Sequence, residues 1–497
     1  MGIIIPIFVL VSTVALTWFL LKHMRMRHIL KDICQPRSYP VVGHGLITRP
    51  DPEGFMNQVI GMGYLFPDPR MCLLWIGPFP CLMLYSAELV EPILASSKHL
   101  NKGFAYKLLE PWLGLSILTS QREQWRPKRK LLTPTFHYDI LKDFLPIFNE
   151  QAKIMIQKMC LYGPTDPVDI LSMVTLCTLD IICETSMGKS VNAQLSKDNE
   201  YVWAVHTIND LIQTRTKNPL VWNSWVYKLT ENGKTHEKCL QILHSFTKKV
   251  IDERKESLEE SDYKIESGKR LAFLDLLLDM AQSGQIAMED IQAEVDTFMF
   301  EGHDTTSTGL MWALHLIGNH PEVMRKMQEE IDEVMGDDID VTTEHLARLK
   351  YMECVLKESL RLRPSVPIIM RELASDQQIG GINIPHGVTI LINQYLVHRD
   401  PTQWKNPEIF DPDRFLPENS VGRKSFAFIP FSAGSRNCIG QRFAILEEKV
   451  IMTHILRQFD VHSVEKMHEC NPKMEIIMRP AEPIHLLVKR RRPVVSW

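Results

Sequence analysis

Phe431-Ser432-Ala433-Gly434-Ser435-Arg436-Asn437-Cys438-Ile439-Gly440 sets a cysteine in a tight, glycine-bearing loop, with an arginine two residues before it. An amphipathic helix is predicted directly afterwards, carried by Phe443, Ala444, Leu446, Val450 and Ile451. The glycines let the backbone approach a flat ring closely and turn amides toward the sulfur. The amino terminus of the following helix and Arg436 both favour thiolate over thiol. A cysteine on its own is more often a small buried hydrophobe. In this ten-residue setting the reading reverses, to an anionic axial ligand for iron.

Upstream of the loop stands Phe410-Asp411-Pro412-Asp413-Arg414-Phe415, and before that Lys357-Glu358-Ser359-Leu360-Arg361. Glu358 and Arg361 are three apart, so on a helix they share a face and can pair. Alone, such a pair reads as an ordinary surface ion pair. Further upstream, Glu301-Gly302-His303-Asp304-Thr305-Thr306 lies inside a proline-free stretch from 286 to 319. That stretch is predicted to be one helix of about 50 Å at 1.5 Å per residue. Glycine inside a helix costs ~1 kcal/mol against alanine, so Gly302 needs a reason. The bland reading of Thr305 is a hydroxyl bonding back to the preceding turn.

In this order and spacing the segments resemble the haem loop, ExxR, PERF-type and dioxygen-activating motifs of the cytochromes P-450. The resemblance extends over essentially the whole chain. It implies a mainly α fold with a minor β region, a haem held by Cys438, and insertion of one oxygen atom of O2 into an apolar substrate. It also implies that Glu358, Arg361 and Arg414 form a buried network supporting the fold and the haem loop rather than catalysis. Gly302 would leave room for dioxygen, while Thr305 and Asp304 would pass protons to it. Trp125 and Arg129, at WxxxR spacing, together with Arg371 and Arg436 would hold the haem propionates, work suited to a planar, permanently charged guanidinium. Pro127 departs from the family pattern. Proline is comfortable only in a helix's first turn, so the helix here is expected to start later than the family's usual one. The connector also lacks the usual Pro-Pro-Gly-Pro run.

From Glu294 to Thr306 the match is closer still, and is similar to the signature of family four, the fatty-acid ω-hydroxylases and their relatives. There the glutamate at Glu301 can become esterified to a haem methyl group. Glu301 and Thr305 are four apart and share a helix face, and an ester would neutralise a carboxylate set against an apolar ring edge. A terminal methyl C–H is stronger than its methylene neighbours, so attack at a chain end requires a narrow approach. Residues 103–117, 298, 366–369 and 476–478 are the expected pocket walls. Medium- to long-chain fatty acids are the expected substrates, with sterols, terpenoid hormones or xenobiotics as the alternative. A thiolate-haem isomerase would lack the Asp304–Thr305 pair, and a haem sensor would need an output domain for which no residues remain.

Residues 2–21 carry no charge and are rich in Ile, Leu, Val and Phe, followed by Lys22, Arg25, Arg27 and Lys31. Twenty such residues cover a ~30 Å hydrocarbon core, and the trailing positive charge predicts a single-pass anchor with the body in the cytosol. The expected organisation is an anchor with its basic flank (1–34), a Pro/Gly connector (35–45) and one catalytic domain (46–497). An endoplasmic reticulum location follows from the resemblance. Helical periodicity fills roughly 85–365, while strand-like pieces gather late, at 379–384, 388–391 and 484–488. A net charge of −4 argues against nucleic acid as a partner, and the basic clusters at 126–130 and 489–492 are local. Ten cysteines without CxxC spacing argue against a disulfide framework or structural zinc. No flavin or nicotinamide fingerprint is present, so electrons must come from outside. The resemblance implies NADPH–cytochrome reductase, with cytochrome b5 as a second donor, docking near Arg126, Lys128, Lys130, Arg423, Lys424 and Arg442.

Overall fold

The computed structural model describes residues 4–136, 138–196, 200–260 and 272–491. The helices that position the site are α1 (Ile4–Ile29), α2 (Pro52–Leu65), α3 (Arg122–Leu132), α4 (Leu145–Met159), α5 (Ile170–Ser186), α6 (Glu200–Lys217), α7 (Glu231–Glu260), α8 (Met288–Gly318), α9 (Pro321–Met335), α10 (Lys350–Leu362) and α11 (Gln441–Gln458).

α8 is the axle of the molecule. Its 31 residues span about 46 Å, with Glu289 and Asp290 in the first turn, where the helix dipole favours acid. The helix stops at Gly318, and Pro321 opens α9 at the position where a missing N–H costs nothing. From Ile291 to Gly318 nearly every side chain is buried, so α8 is covered on all sides rather than amphipathic. α5 packs along it more extensively than any other element, and α7, α10 and α11 also contact it.

The strands that matter are β1 (Met71–Ile76), β2 (Phe79–Leu84), β3 (Ile368–Glu372), β4 (Thr389–Asn393), β5 (Phe459–Ser463) and β6 (His485–Arg490). One sheet has the order β1-β2-β4-β3, parallel only between β2 and β4. A smaller one joins the short strand Val168–Asp169 to β6 and β5. The β content is therefore not confined to the late segments the sequence pointed to, because β1 and β2 contribute an early hairpin. Their residues are almost continuously buried, and an unbroken apolar run has no alternation to distinguish strand from buried helix.

α3 also differs from expectation. It starts at Arg122, and Pro127 sits in its second turn instead of postponing its start. Trp125 precedes the proline and keeps its own backbone bond to Gln121, at 2.9 Å. Pro127 forfeits only the bond that Glu123 would have accepted, on a side open to solvent.

α1 is a 26-residue helix whose carboxy-terminal end rests on the body. His23 lies edge-on to Trp75 at 5.2 Å, and the Arg27 guanidinium covers the same ring. Among the described residues no helix is long and apolar enough to cross a membrane. The basic cluster at 489–492 is described only as far as Arg491.

Candidate active site

The cysteine loop is held by its own backbone. Cys438 N–H donates to Phe431 O (2.9 Å), and Asn437 N–H to Gly434 O (3.1 Å). Gly434 has φ +72°, and a Cβ there would stand 1.9 Å from the Leu94 carbonyl, so only glycine lets the loop close. The loop delivers Cys438 to the amino terminus of α11, where the Gly440 and Gln441 amides point at its sulfur. Cys438 is exposed, yet only to an internal cavity of about 400 Å³ within the body. Burial pushes its thiol up to about 12, with the Glu301 charge adding to the rise, against a smaller downward pull from those amides and Arg129. The helix end therefore favours the thiolate as expected, with Arg129 as the contributing guanidinium in place of Arg436, while burial opposes both. A bound metal would take the sulfur as thiolate, displacing its proton.

Arg436 has a different task. Its guanidinium donates to the carbonyls of Leu100, Ile117 and Ser120 and lies 4.9 Å from the Trp125 ring. Arg129 grips the loop from α3, donating to Asn437 O at 2.8 Å and Asn437 Oδ1 at 3.0 Å. Arg371, on β3, is 2% exposed and, among the described residues, donates only to its neighbour's carbonyl, at 2.9 Å. Lys102, absent from the sequence-based set, joins them. It is 8% exposed and sits 4.2 Å from the Tyr106 ring. None of Lys102, Arg371 or Arg436 has an ion pair with a carboxylate among the described residues. Burial first, then mutual repulsion, holds Arg436 down to about 9 and Lys102 well below the usual range. Unpaired buried cations beside one cavity are costly unless an anion arrives. A flat, dianionic iron macrocycle bound by Cys438 is that anion, so these residues fit haem.

α8 forms the opposite wall. Thr305 lines the cavity, and its hydroxyl donates back to Glu301 O at 2.7 Å. Its own carbonyl accepts from Ser365 Oγ at 2.9 Å. The Glu301 carboxyl faces the cavity and is raised by burial to about 7, with Lys102 opposing the rise. Gly302 lines the cavity, and a Cβ there would stand 2.6 Å from the Ile182 side chain, so the glycine also serves the close approach of α5. Asp304 is not beside Thr305 in the cavity. It is fully buried, accepts from Arg479 Nη2 at 2.5 Å and Asn209 Nδ2 at 3.1 Å, and lies 4.0 Å from His206. Burial raises its pKa, but Arg479 and the two neighbouring histidines more than offset this and hold it below the ordinary range. The helix repeat places Asp304 100° from Thr305, which is why adjacent residues face different partners.

Away from the cavity, the Arg361 guanidinium meets the Glu358 carboxylate fork to fork at 2.7 and 2.8 Å. Arg414 Nε adds a third bond at 3.1 Å, and the Asp411 amide a fourth at 2.9 Å. The remaining guanidinium hydrogens go to carbonyls of His398, Pro407, Ile409, Lys405 and Asn406. The network thereby stitches the stretch from 398 to 414 onto α10. Of the expected docking cations, Arg126, Lys130, Lys424 and Arg442 are exposed. Lys128 points inward to Asp290 (2.9 Å) and Glu294 (3.0 Å), and Arg423 is folded against Trp404. Tyr106, Ile117, Phe298, Val366, Ile369 and Ile477 line the cavity, whereas Met478 does not.

The cytochrome P450 family model matches residues 35–488. The chain is 46% identical to human cytochrome P450 4V2 over 466 residues, covering 92% of this chain and 89% of the relative. It is 40% identical to cytochrome P450 4c3 of Drosophila melanogaster over 489 residues (95% and 91%). Against cytochrome P450 4c21 of Blattella germanica it is 42% identical over 481 residues (95% of each). Cavity, thiol and unpaired cations agree with that match: the chain belongs to the cytochrome P450 family, on its family 4 branch, and is a haem-thiolate monooxygenase supplied with electrons by a reductase.

Proposed function

We propose that the enzyme hydroxylates medium- to long-chain fatty acids at the terminal carbon, and that Glu301 narrows the approach. The observation carrying this reading is Glu301 itself. Its carboxyl faces an apolar cavity between Phe298 and Thr305, has no side-chain hydrogen bond among the described residues, and stands near neutrality at about 7. Such a group could form an ester with a haem methyl group, a C–H bond giving way to C–O while the two electrons and two protons released reduce the dioxygen-derived oxidant of the enzyme's own turnover to water, and the bond would fix ring and helix together. Cys438 ligates the iron, which supplies the redox chemistry that splits dioxygen. Trp125, Arg129, Arg371 and Arg436, with Lys102, hold the propionate edge. Thr305 presents a hydroxyl to the cavity and can rotate from Glu301 O to pass a proton inward. Asp304 serves that step by tying α8 to Arg479 and Asn209 rather than as a neighbouring acid. Glu358, Arg361 and Arg414 support the loop that carries Cys438.

The bilayer reading rests on exposed apolar surface. Val9, Leu10, Val11, Val14, Trp18 and Leu21 on α1 are each more than half exposed, and residues 2–21 are uncharged. Leu220, Trp225 and Leu229 project from the segment after α6, each more than 80% exposed. Patches of this kind mark a membrane contact. They support an anchored enzyme at the endoplasmic reticulum surface, reached by reductase and by cytochrome b5.

The test is turnover in reconstituted membranes with reductase and NADPH, using saturated and polyunsaturated fatty acids and a sterol panel, with products mapped by mass spectrometry. Terminal hydroxy acids are expected, with Glu301→Ala shifting oxidation to in-chain positions and leaving haem extractable from the denatured polypeptide. Absence of any fatty-acid product, alongside an intact thiolate-type ferrous–CO spectrum, would overturn the substrate assignment and leave the haem chemistry standing.

A further inference from the structure

A second cavity of about 100 Å³ lies behind the wall of the first. Glu353, Lys357 and Gln441 form its outer rim, where the side chains of Glu353 and Lys357 are 35% and 38% exposed. Its inner wall is shared with the active-site cavity, since Leu360, Pro430, Phe431, Ser432 and Glu448 face both. Three of these five are apolar. The polar pair, Glu448 and Ser432, each carry a buried oxygen, Oε2 and Oγ, with no hydrogen-bond partner among the described residues. Glu448 is 3% exposed.

The other Glu448 oxygen lies 2.7 Å from where a Cβ on Gly309 would stand, with Ser365 Oγ 3.5 Å from the same point. Ser365 in turn donates to the Thr305 carbonyl. Glu448 therefore reaches the turn of α8 that follows Thr305, and any side chain at 309 would push it away. Burial raises Glu448 to about 8, so at neutral pH it is a carboxylic acid with a proton to give. Glu353 at the rim is committed to Lys357 (2.7 Å) and Lys449 (2.9 Å). Glu447, buried beside Glu448, lines neither cavity. Orphaned buried oxygens next to a cavity of this size are ordinarily satisfied by ordered water, for which there is room.

We propose that Glu448 and Ser432 hold ordered water in the shared wall, making it a proton passage from the Glu353–Lys357–Gln441 rim to the active-site cavity. Monooxygenation joins substrate, dioxygen, two electrons and two protons to give hydroxylated product and water. The reductase supplies the electrons, and the protons must be drawn from bulk water. In the passage Glu448 releases its carboxyl proton to cavity water and regains one from the rim side, so it is unchanged after each turnover. Asp304, paired with Arg479, lines neither cavity and so is separate from this passage. The proposal rests on monooxygenase activity and is indifferent to the substrate.

The test uses the full-chain, haem-loaded protein, with the ferrous–CO spectrum as the control for folding. The infrared difference between wild type and Glu448→Gln isolates the protonated carboxyl band. On mixing with D2O that band should shift within the mixing time. Ile445→Phe fills the smaller cavity alone and should slow the shift tenfold or more. With reductase and no added substrate, the H2O/D2O ratio of NADPH oxidation rates should rise about twofold in both variants, and Glu448→Asp should restore it. A carboxyl band that exchanges over hours in the wild type, or as fast in Ile445→Phe, overturns the passage. So does an isotope ratio equal in all proteins.

Discussion

Ile182 occupies the space that a side chain at position 302 would need, 2.6 Å from the would-be Cβ. That contact gives the cavity-lining glycine a packing role as well. Gly302→Ala gains ~1 kcal/mol of helix propensity but must displace a buried isoleucine, and overpacking of that kind costs roughly 1–3 kcal/mol. The expected result is a holoenzyme less stable to urea by up to about 2 kcal/mol. In a double-mutant cycle, Gly302→Ala combined with Ile182→Ala should be less damaging than the sum of the two, with a coupling of about 1 kcal/mol or more. If the glycine instead served only to make room for dioxygen, Gly302→Ala would raise stability by ~1 kcal/mol and simply waste NADPH. A second single-residue consequence concerns Glu358, whose carboxylate answers two buried guanidinium groups. Glu358→Ala leaves those charges unpaired, a loss of roughly 3–5 kcal/mol, and should be seen as failure to accumulate haem-loaded protein. Recovery of normal loading in that variant would remove the network from any supporting role.

At the scale of elements, the segment between β4 and the cysteine loop hangs on His398. Its Nε2 accepts from the Ile429 amide at 2.9 Å, while its carbonyl takes a bond from Arg361. Burial, then Arg361 and Arg399, hold this imidazole down to about 3, against 6.5 unperturbed. Between those values the unfolded chain binds a proton that the folded one refuses. Stability from this group is therefore complete above pH 6.5 and falls with pH below it, by up to ~1.4 kcal/mol per pH unit. His398→Gln keeps an acceptor for the Ile429 amide and cannot titrate. It should flatten the slope of unfolding free energy between pH 6 and 4.5 by about that amount, measured by urea denaturation; an unchanged slope would clear His398. The same segment shows what a sequence can and cannot disclose. Glu358 and Arg361 were legible as a pair because three residues on a helix fix a shared face. The length of α8 was legible because nothing in 286–319 breaks a helix. Lys102 was not, since a single lysine in a loop has no period to betray it, and its meaning comes from Arg371 and Arg436, hundreds of residues later. The orientation of Asp304 was hidden for the same reason, because its partner Arg479 is 175 residues away.

For the whole molecule, the question is where electrons enter. The loop at Gly434–Arg436 packs on the helix Ala87–Leu94, and Arg126 reaches the Ser97 carbonyl just beyond it. Arg126, Lys130 and Arg442 are thus exposed around the Cys438 side of the body. An acidic redox partner would be steered there by charge, an effect that weakens with salt. Lys128, though in the same basic run, belongs to the interior: it ties α3 to α8 through Asp290 and Glu294, and Glu294 also accepts the Ile117 amide. Charge reversal should therefore divide this run in two. Arg126→Glu, Lys130→Glu and Arg442→Glu together should cut reductase-supported turnover severalfold at low salt, leave peroxide-supported turnover unchanged, and flatten the dependence on ionic strength. Lys128→Glu places a third acid between the buried Glu294 and the half-exposed Asp290, so it should lower both activities equally and weaken haem retention. Equal losses in both assays for the triple variant would mean that these cations do not dock the reductase. A Lys128→Glu protein impaired only with reductase would return that residue to the surface.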